Sequence, residues 1–178
     1  KFNNKKIKNS FIFSGNLGGG QDIDKVYSFF KKIKNLRQVN NLSILGEGMN
    51  STSIKSFKDL NINYYKKIPF NKYVKFLNLY EYGIISLKDE IKSVNFPGRL
   101  LTYLNSGLPI IVLSNKNNEL SKFVTNKKIG VVIKSKENII NKLNKLKKIK
   151  QNFIKSQTNI KVLKKYFNLK KNAKKILN

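Results

Sequence analysis

The sequence predicts an α/β fold: a doubly wound parallel sheet of about six strands with helices on both faces. Three observations predict it. Six short apolar runs, at residues 10–14, 41–45, 62–65, 83–87, 110–113 and 129–133, each have the length of one strand, and segments with helical spacing separate them. Strands that alternate with helices join in parallel through right-handed crossovers, which lay the helices over both faces. Glycine-bearing loops follow the first and fourth runs, at the strand end where such sheets hold ligands.

The first run, Ser10-Phe11-Ile12-Phe13-Ser14, ends at Gly15-Asn16-Leu17-Gly18-Gly19-Gly20. Gln21-Asp22 then opens a helix with apolar residues at Ile23, Val26, Tyr27, Phe30 and Ile33. Strand, glycine loop and helix start form a layout that brings backbone close to a phosphate. It is not the dinucleotide fingerprint, because Leu17 stands where the second Gly would follow Gly15; nor is it a P-loop, because no Gly-Lys-Ser/Thr follows. The second strand closes on Gly46-Glu47-Gly48, where Glu47 reads as a turn residue rather than a catalyst. An amphipathic segment at 54–60 leads to the third strand, and Lys66-Lys67-Ile68-Pro69-Phe70 enters a helix over 71–79 with Asn71 as its cap.

The fourth strand runs into residues 88–95 and then into Phe96-Pro97-Gly98-Arg99-Leu100-Leu101-Thr102-Tyr103-Leu104-Asn105-Ser106-Gly107-Leu108-Pro109. Pro97 suits the start of a helix and Gly107 its end, so this stretch reads as loop, short helix, tight turn and buried strand. The helix N-terminus offers free N–H groups, and Arg99 adds a two-pronged donor beside them, which makes a place for a phosphate. A short helix at 119–124 precedes the sixth strand. Beyond it, Ile139, Ile140, Leu143, Leu146 and Ile149 trace one helical face, and Ile160, Leu163, Phe167 and Leu169 a second.

Composition excludes several chemistries. With no Cys and no His among 178 residues, zinc sites built on them, thiol nucleophiles, His general bases and disulfides are ruled out, and acid chemistry rests on nine carboxylates. No run reaches the roughly 18 apolar residues of a membrane span, and no signal-peptide core follows the start. The chain begins at Lys1 rather than Met and is expected to be a piece of something longer. Its net charge of +28 invites a nucleic-acid or membrane-surface reading. Yet only Arg37 and Arg99 are arginines, the residue favoured for bidentate recognition, so no specific nucleic-acid partner is expected. From Lys134 onward, 15 lysines face one acid, Glu137, so the terminal helices are basic and amphipathic, suited to lying on an anionic membrane or to covering the fold with a solvated Lys face.

Residues 96–109 resemble the donor-binding motif of retaining GT-B glycosyltransferases of the family 4 (group 1) type, in which Pro-Ser/Gly-Lys-x-x-Glu-Tyr-x-x-x-Gly-x-Pro precedes a strand. Pro97, Gly98, Tyr103, Gly107 and Pro109 match it, Arg99 replaces the usual Lys, and Thr102 stands where many members carry the Glu that grips the donor ribose. Gly15, Asn16, Gly18 and Gln21 are similar to the Gly-Asn-x-Gly-x-x-Gln loop of the same group. The resemblance implies the C-terminal half of a GT-B fold, with residues 1–135 a Rossmann-like nucleotide-sugar-binding domain and 136–178 basic helices packed on it. It implies transfer of a sugar from a UDP- or GDP-type donor, with no other cofactor and no metal, to a glycan or lipid-linked acceptor held by an N-terminal domain. Cytoplasmic, membrane-peripheral polysaccharide synthesis is the expected setting.

Site residues follow from the resemblance. Arg99 and the N–H groups from Gly98 to Leu100 take the diphosphate; Gly15, Asn16, Leu17, Gly18 and Gly19 approach the phosphates or sugar; Pro97, Thr102 and Tyr103 complete the donor site. The base is expected near Lys67 to Pro69. The family's Glu-x(7)-Glu pair would fall at Val94 and Thr102, neither acidic, so Glu90, and next Asp89, stand as the acid on the sugar side. The alternatives are a non-catalytic nucleotide- or anion-binding domain of this fold, and a basic binder of nucleic acid or membrane surface.

Overall fold

The computed structural model describes residues 6–18, 20–36, 41–48, 62–90, 96–115, 118–135 and 137–167. In chain order its elements are β1 (Ser10–Ser14), α1 (Ile23–Asn35), β2 (Asn41–Leu45), β3 (Asn63–Tyr65), α2 (Phe70–Leu77), β4 (Tyr82–Ser86), α3 (Gly98–Asn105), β5 (Ile110–Leu113), α4 (Glu119–Asn126), β6 (Gly130–Ile133), α5 (Ile139–Ser156) and α6 (Thr158–Tyr166). All six strands pair in parallel, in the order β3-β2-β1-β4-β5-β6. This is the doubly wound arrangement expected, and its order reverses between β1 and β4.

The strands form because their side chains are buried on both faces. Phe11, Ile12 and Phe13 of β1, Ile84 and Ile85 of β4, and Ile110 and Ile111 of β5 are all within the core. Ile23, Val26, Phe29, Phe30 and Ile33 seal α1 to the sheet, and Asp22 caps that helix by accepting from Lys25 N at 2.9 Å. The helix α2 begins one residue before Asn71, at Phe70, with Pro69 in the cap position and no side-chain cap bond. Asn71 accepts instead from the adjacent Lys72 N, so it does not cap the helix. The segment at 54–60 lies outside the described residues, as does Val94.

The terminal helices cover the fold, one of the two arrangements their sequence suits. Leu143, Leu146, Ile149 and Phe153 of α5 and Val162 of α6 are buried within this chain, so most of their apolar face finds its cover here. Ile140, at 41% exposure, and Ile154, at 74%, are the exceptions on α5. Gln157 takes a left-handed conformation (φ 51°) that breaks the path between α5 and α6. This turn brings α6 onto α3, where Asn159 donates to Leu104 O at 2.8 Å. Phe96, just ahead of Pro97, joins Phe123 and Phe167 in an aromatic cluster with ring centroids 4.8 to 6.0 Å apart. α6 and Phe167 thereby buttress α3 and the segment that opens it.

Candidate functional site

The carboxyl ends of β1, β2 and β3 and the N-terminus of α3 surround a cleft of about 770 Å³. Gly15 and Asn16 follow β1, Gly46 and Glu47 follow β2, Lys67, Ile68 and Phe70 follow β3, and Pro97, Gly98, Arg99 and Thr102 close it from α3. It sits beside the β1/β4 reversal, where crossovers leave in opposite directions and the strand ends part.

Arg99 is its central charge. The guanidinium lies over the Phe13 ring, 5.0 Å from the centroid, and Nη1 is buried without a hydrogen-bond partner. Among the described residues no carboxylate pairs with it. Burial draws its pKa below the ordinary arginine value, opposed by the nearby Tyr103 and Tyr73 hydroxyls. Those phenols are themselves pushed upward by burial and stay neutral, so they supply no counter-ion. A buried, unpaired cation is costly and an anion offsets that cost. The N–H groups of Gly98 and Arg99 add first-turn donors that have no acceptor within the helix.

Two glycines make room for this arrangement. At Gly15 (φ 126°) a Cβ would stand 2.8 Å from Arg99 Nη2, and at Gly46 (φ 150°) it would stand 1.9 Å from Gly15 O. Loop and guanidinium thus touch only because both positions lack a side chain.

Several expectations are corrected by position. Three N–H groups of the glycine loop are already taken: Gly15 N donates to Leu45 O, Leu17 N to Glu47 O, both at 2.9 Å, and Gly18 N to Asn16 Oδ1 at 3.0 Å. The loop is a wall of the cleft, tied to β2. Leu17 and Leu100 are core side chains rather than contacts, and Leu100 N is already bonded to Pro97 O. Tyr103 is wholly buried, and its hydroxyl accepts from Ser14 N at 2.9 Å and shares a hydrogen bond with Ser14 Oγ, which in turn meets the Tyr73 hydroxyl at 2.7 Å. It plugs the gap where β1 and β4 diverge. Pro69 is exposed and caps α2, while its neighbours Ile68 and Phe70 reach the cleft. Glu90 is exposed and does not line the cleft. Asp89 is engaged by Lys25 at 3.0 Å, and Gly19 lies outside the described residues. Of the sequence-named positions, Gly15, Asn16, Lys67, Ile68, Pro97, Gly98, Arg99 and Thr102 come together here.

Gln21, Phe70, Tyr73 and Glu47 line the cleft without having been assigned to it. Only Gln21 left a signal, as the last position of the loop motif. A second groove of about 480 Å³, between α1 and the ends of β5 and β6, holds Lys25, but Asp22 and Asp89 already neutralise that ammonium at 3.0 Å each. Among the described residues no three His, Cys, Asp or Glu side chains gather, and no helix is long and apolar enough to cross a membrane.

Comparison with known proteins agrees with this architecture. S. aureus TarM, in a structure with fondaparinux, α-GlcNAc-glycerol and UDP, superposes with a TM-score of 0.68 at 18% identity, over 97% of this chain and 35% of its own. The pneumococcal O-GlcNAc transferase GtfA, with UDP and GlcNAc, gives 0.60 at 18% identity over 97% and 37%. WaaG, a glycosyltransferase involved in lipopolysaccharide biosynthesis, gives 0.62 at 13% identity over 92% and 45%. The chain spans less than half the length of each of these structures. No curated protein sequence matches it. The family described as glucosyltransferase 3-like, C-terminal domain, matches residues 20–178. The chain therefore belongs to that family and is a C-terminal domain of the GT-B glycosyltransferase fold.

Proposed function

We propose that this domain binds the nucleotide-diphosphate-sugar donor of a retaining glycosyltransferase in cell-surface polysaccharide or glycan synthesis. The observation that carries the reading is Arg99: a guanidinium whose buried Nη1 is an unmet donor, with no carboxylate partner among the described residues and the N-terminus of α3 beside it, in a cleft at the switch point of the sheet. A diphosphate supplies the missing acceptors. As the sugar–phosphate bond breaks, negative charge grows on the leaving nucleotide, and the same fixed donors stabilise it without reorganising. The N–H groups of Gly98 and Arg99 share that work.

The rest of the cleft suits the rest of a nucleotide. Phe70, at 72% exposure on the rim, presents a ring for the base, and the segment at Lys67 and Ile68 presents backbone to its edge. Thr102, one helical turn from Gly98, meets the ribose with a hydroxyl in place of a carboxylate. UDP in the TarM and GtfA structures supports a uridine donor. The acceptor, glycan or lipid-linked, binds through another domain, and the lysine-rich face of α5, where Lys145, Lys147, Lys148 and Lys155 are exposed, suits association with the anionic inner face of a membrane in the cytoplasm.

Calorimetry with UDP and GDP at moderate and high salt tests the reading, with Arg99→Ala and a short oligonucleotide alongside. Saturable binding of one nucleotide that survives salt and falls about tenfold to a hundredfold in Arg99→Ala is the expected result. Equal binding of every polyanion, abolished by salt and indifferent to Arg99, would leave only a lysine-coated surface.

A further inference from the structure

The geometry points to Gln21 as the residue that recognises the transferred sugar, an inference that rests on the donor-site reading above. Gln21 lines the cleft, and its side-chain Oε1 is buried without a partner, as Arg99 Nη1 is. A diphosphate diester carries no O–H at neutral pH, so an orphan donor and an orphan acceptor in one cleft do not serve the same group. Arg99 takes the phosphates; the Gln21 carbonyl needs a hydroxyl.

The order of the sheet says which hydroxyl. Along the strand ends the cleft runs from β3, with Phe70, past β2 and β1 to the side of β4. Gln21 is fixed at that far side. Its N–H donates to Gly18 O at 3.0 Å, and its two neighbours are tied to the exit of β4, by Lys88 N to Gly20 O at 3.3 Å and Ser86 Oγ to Asp22 O at 2.9 Å. With the base at the β3 end and the diphosphate at Arg99 beneath the β1 loop, the ribose lies on the near side and the sugar on the far side. The hydroxyls within reach of Gln21 are those of the sugar. Rotation of the side-chain amide brings Oε1 out to meet one of them, so its unmet acceptor is satisfied by the sugar-bearing donor and not by the nucleotide alone.

The test compares UDP with UDP-glucose, UDP-galactose and UDP-N-acetylglucosamine by calorimetry on the full chain. In the parent protein one UDP-sugar binds more tightly than UDP. Gln21→Met, close in volume and lacking the acceptor, leaves UDP affinity within about twofold and weakens that UDP-sugar by about tenfold. Gln21→Glu keeps the acceptor, so it retains the preference for the sugar-bearing form even where its charge weakens both ligands. Thermal melts of both variants, matching the parent within a few degrees, establish that each is folded; if Gln21→Met is not, the preference in Gln21→Glu decides. Equal loss of UDP and UDP-sugar in Gln21→Met would place the amide N–H on the phosphates, and no loss would remove Gln21 from the site; both overturn the inference while leaving the donor site standing. Absence of nucleotide binding in the parent protein would overturn the donor site and this inference together.

Discussion

At the scale of single residues, the site is built on an imbalance. Among the described residues five carboxylates are spent within the fold, Asp22 and Asp89 on Lys25, Glu81 on Lys150, Glu119 on Lys122 and Glu137 on Lys142, and none on Arg99. The charge held in reserve is the one placed deepest in the cleft. Thr102 is the opposite case, a neutral group where a carboxylate would grip harder, since hydrogen bonds to a charged acceptor are roughly twice as strong as neutral ones. Thr102→Glu is expected to tighten UDP binding by about fivefold to tenfold in calorimetry. Unchanged affinity would move the ribose away from this position. The sequence named Arg99 and Thr102 because both lie on a recognisable motif, but it also named Leu17 and Leu100, which face the core. A motif fixes which residues lie near a ligand; only the helix and loop rotation decide which side chains point at it.

At the scale of elements, α3 is held in place by Tyr103. The hydroxyl reaches the point where β1 and β4 part and takes the Ser14 N–H that the sheet leaves over. Tyr103→Phe strands that buried N–H, so urea unfolding is expected to show a loss of about 2 kcal/mol. Because α3 carries Arg99, nucleotide affinity should fall in the same variant, by less than in Arg99→Ala. The opposite order would mean that Tyr103 does more than position the helix. Strand and helix positions were largely readable from period and punctuation: β1, β2 and β5 fall on the stretches expected, and the ends of β3, β4 and β6 shift by one residue. The cap of α2 was not readable, because Pro69 and Asn71 both qualify locally and the path from β3 decides between them.

At the scale of the whole molecule, the net charge of +28 sits mainly on exposed lysines, while a few ion pairs tie separate parts together. One of these joins α1 to the segment after β4. Burial favours the protonated acid at Asp89, yet the Lys25 ammonium, with help from Asn115, holds its pKa below the ordinary carboxylate value. A carboxylate with a depressed folded pKa adds stability that is present above its unfolded value and lost as pH falls through the folded one. Acid titration of the fold should therefore show a loss below about pH 4 that is smaller in Asp89→Asn, read by circular dichroism. An identical acid profile in the variant would show that the pair contributes nothing to this linkage. Sequence by itself determined the doubly wound parallel sheet and the family, since these are written in hydrophobic period, in Pro and Gly placement and in a local motif. Tertiary structure alone decided that Gly15 and Leu17 of the glycine loop spend their N–H groups on Leu45 and Glu47, that Glu90 stays out of the cleft, and that Gln21, Phe70 and Tyr73 enter it. Those outcomes depend on which backbone group finds which partner across the sheet, a long-range matching that no local run of residues encodes.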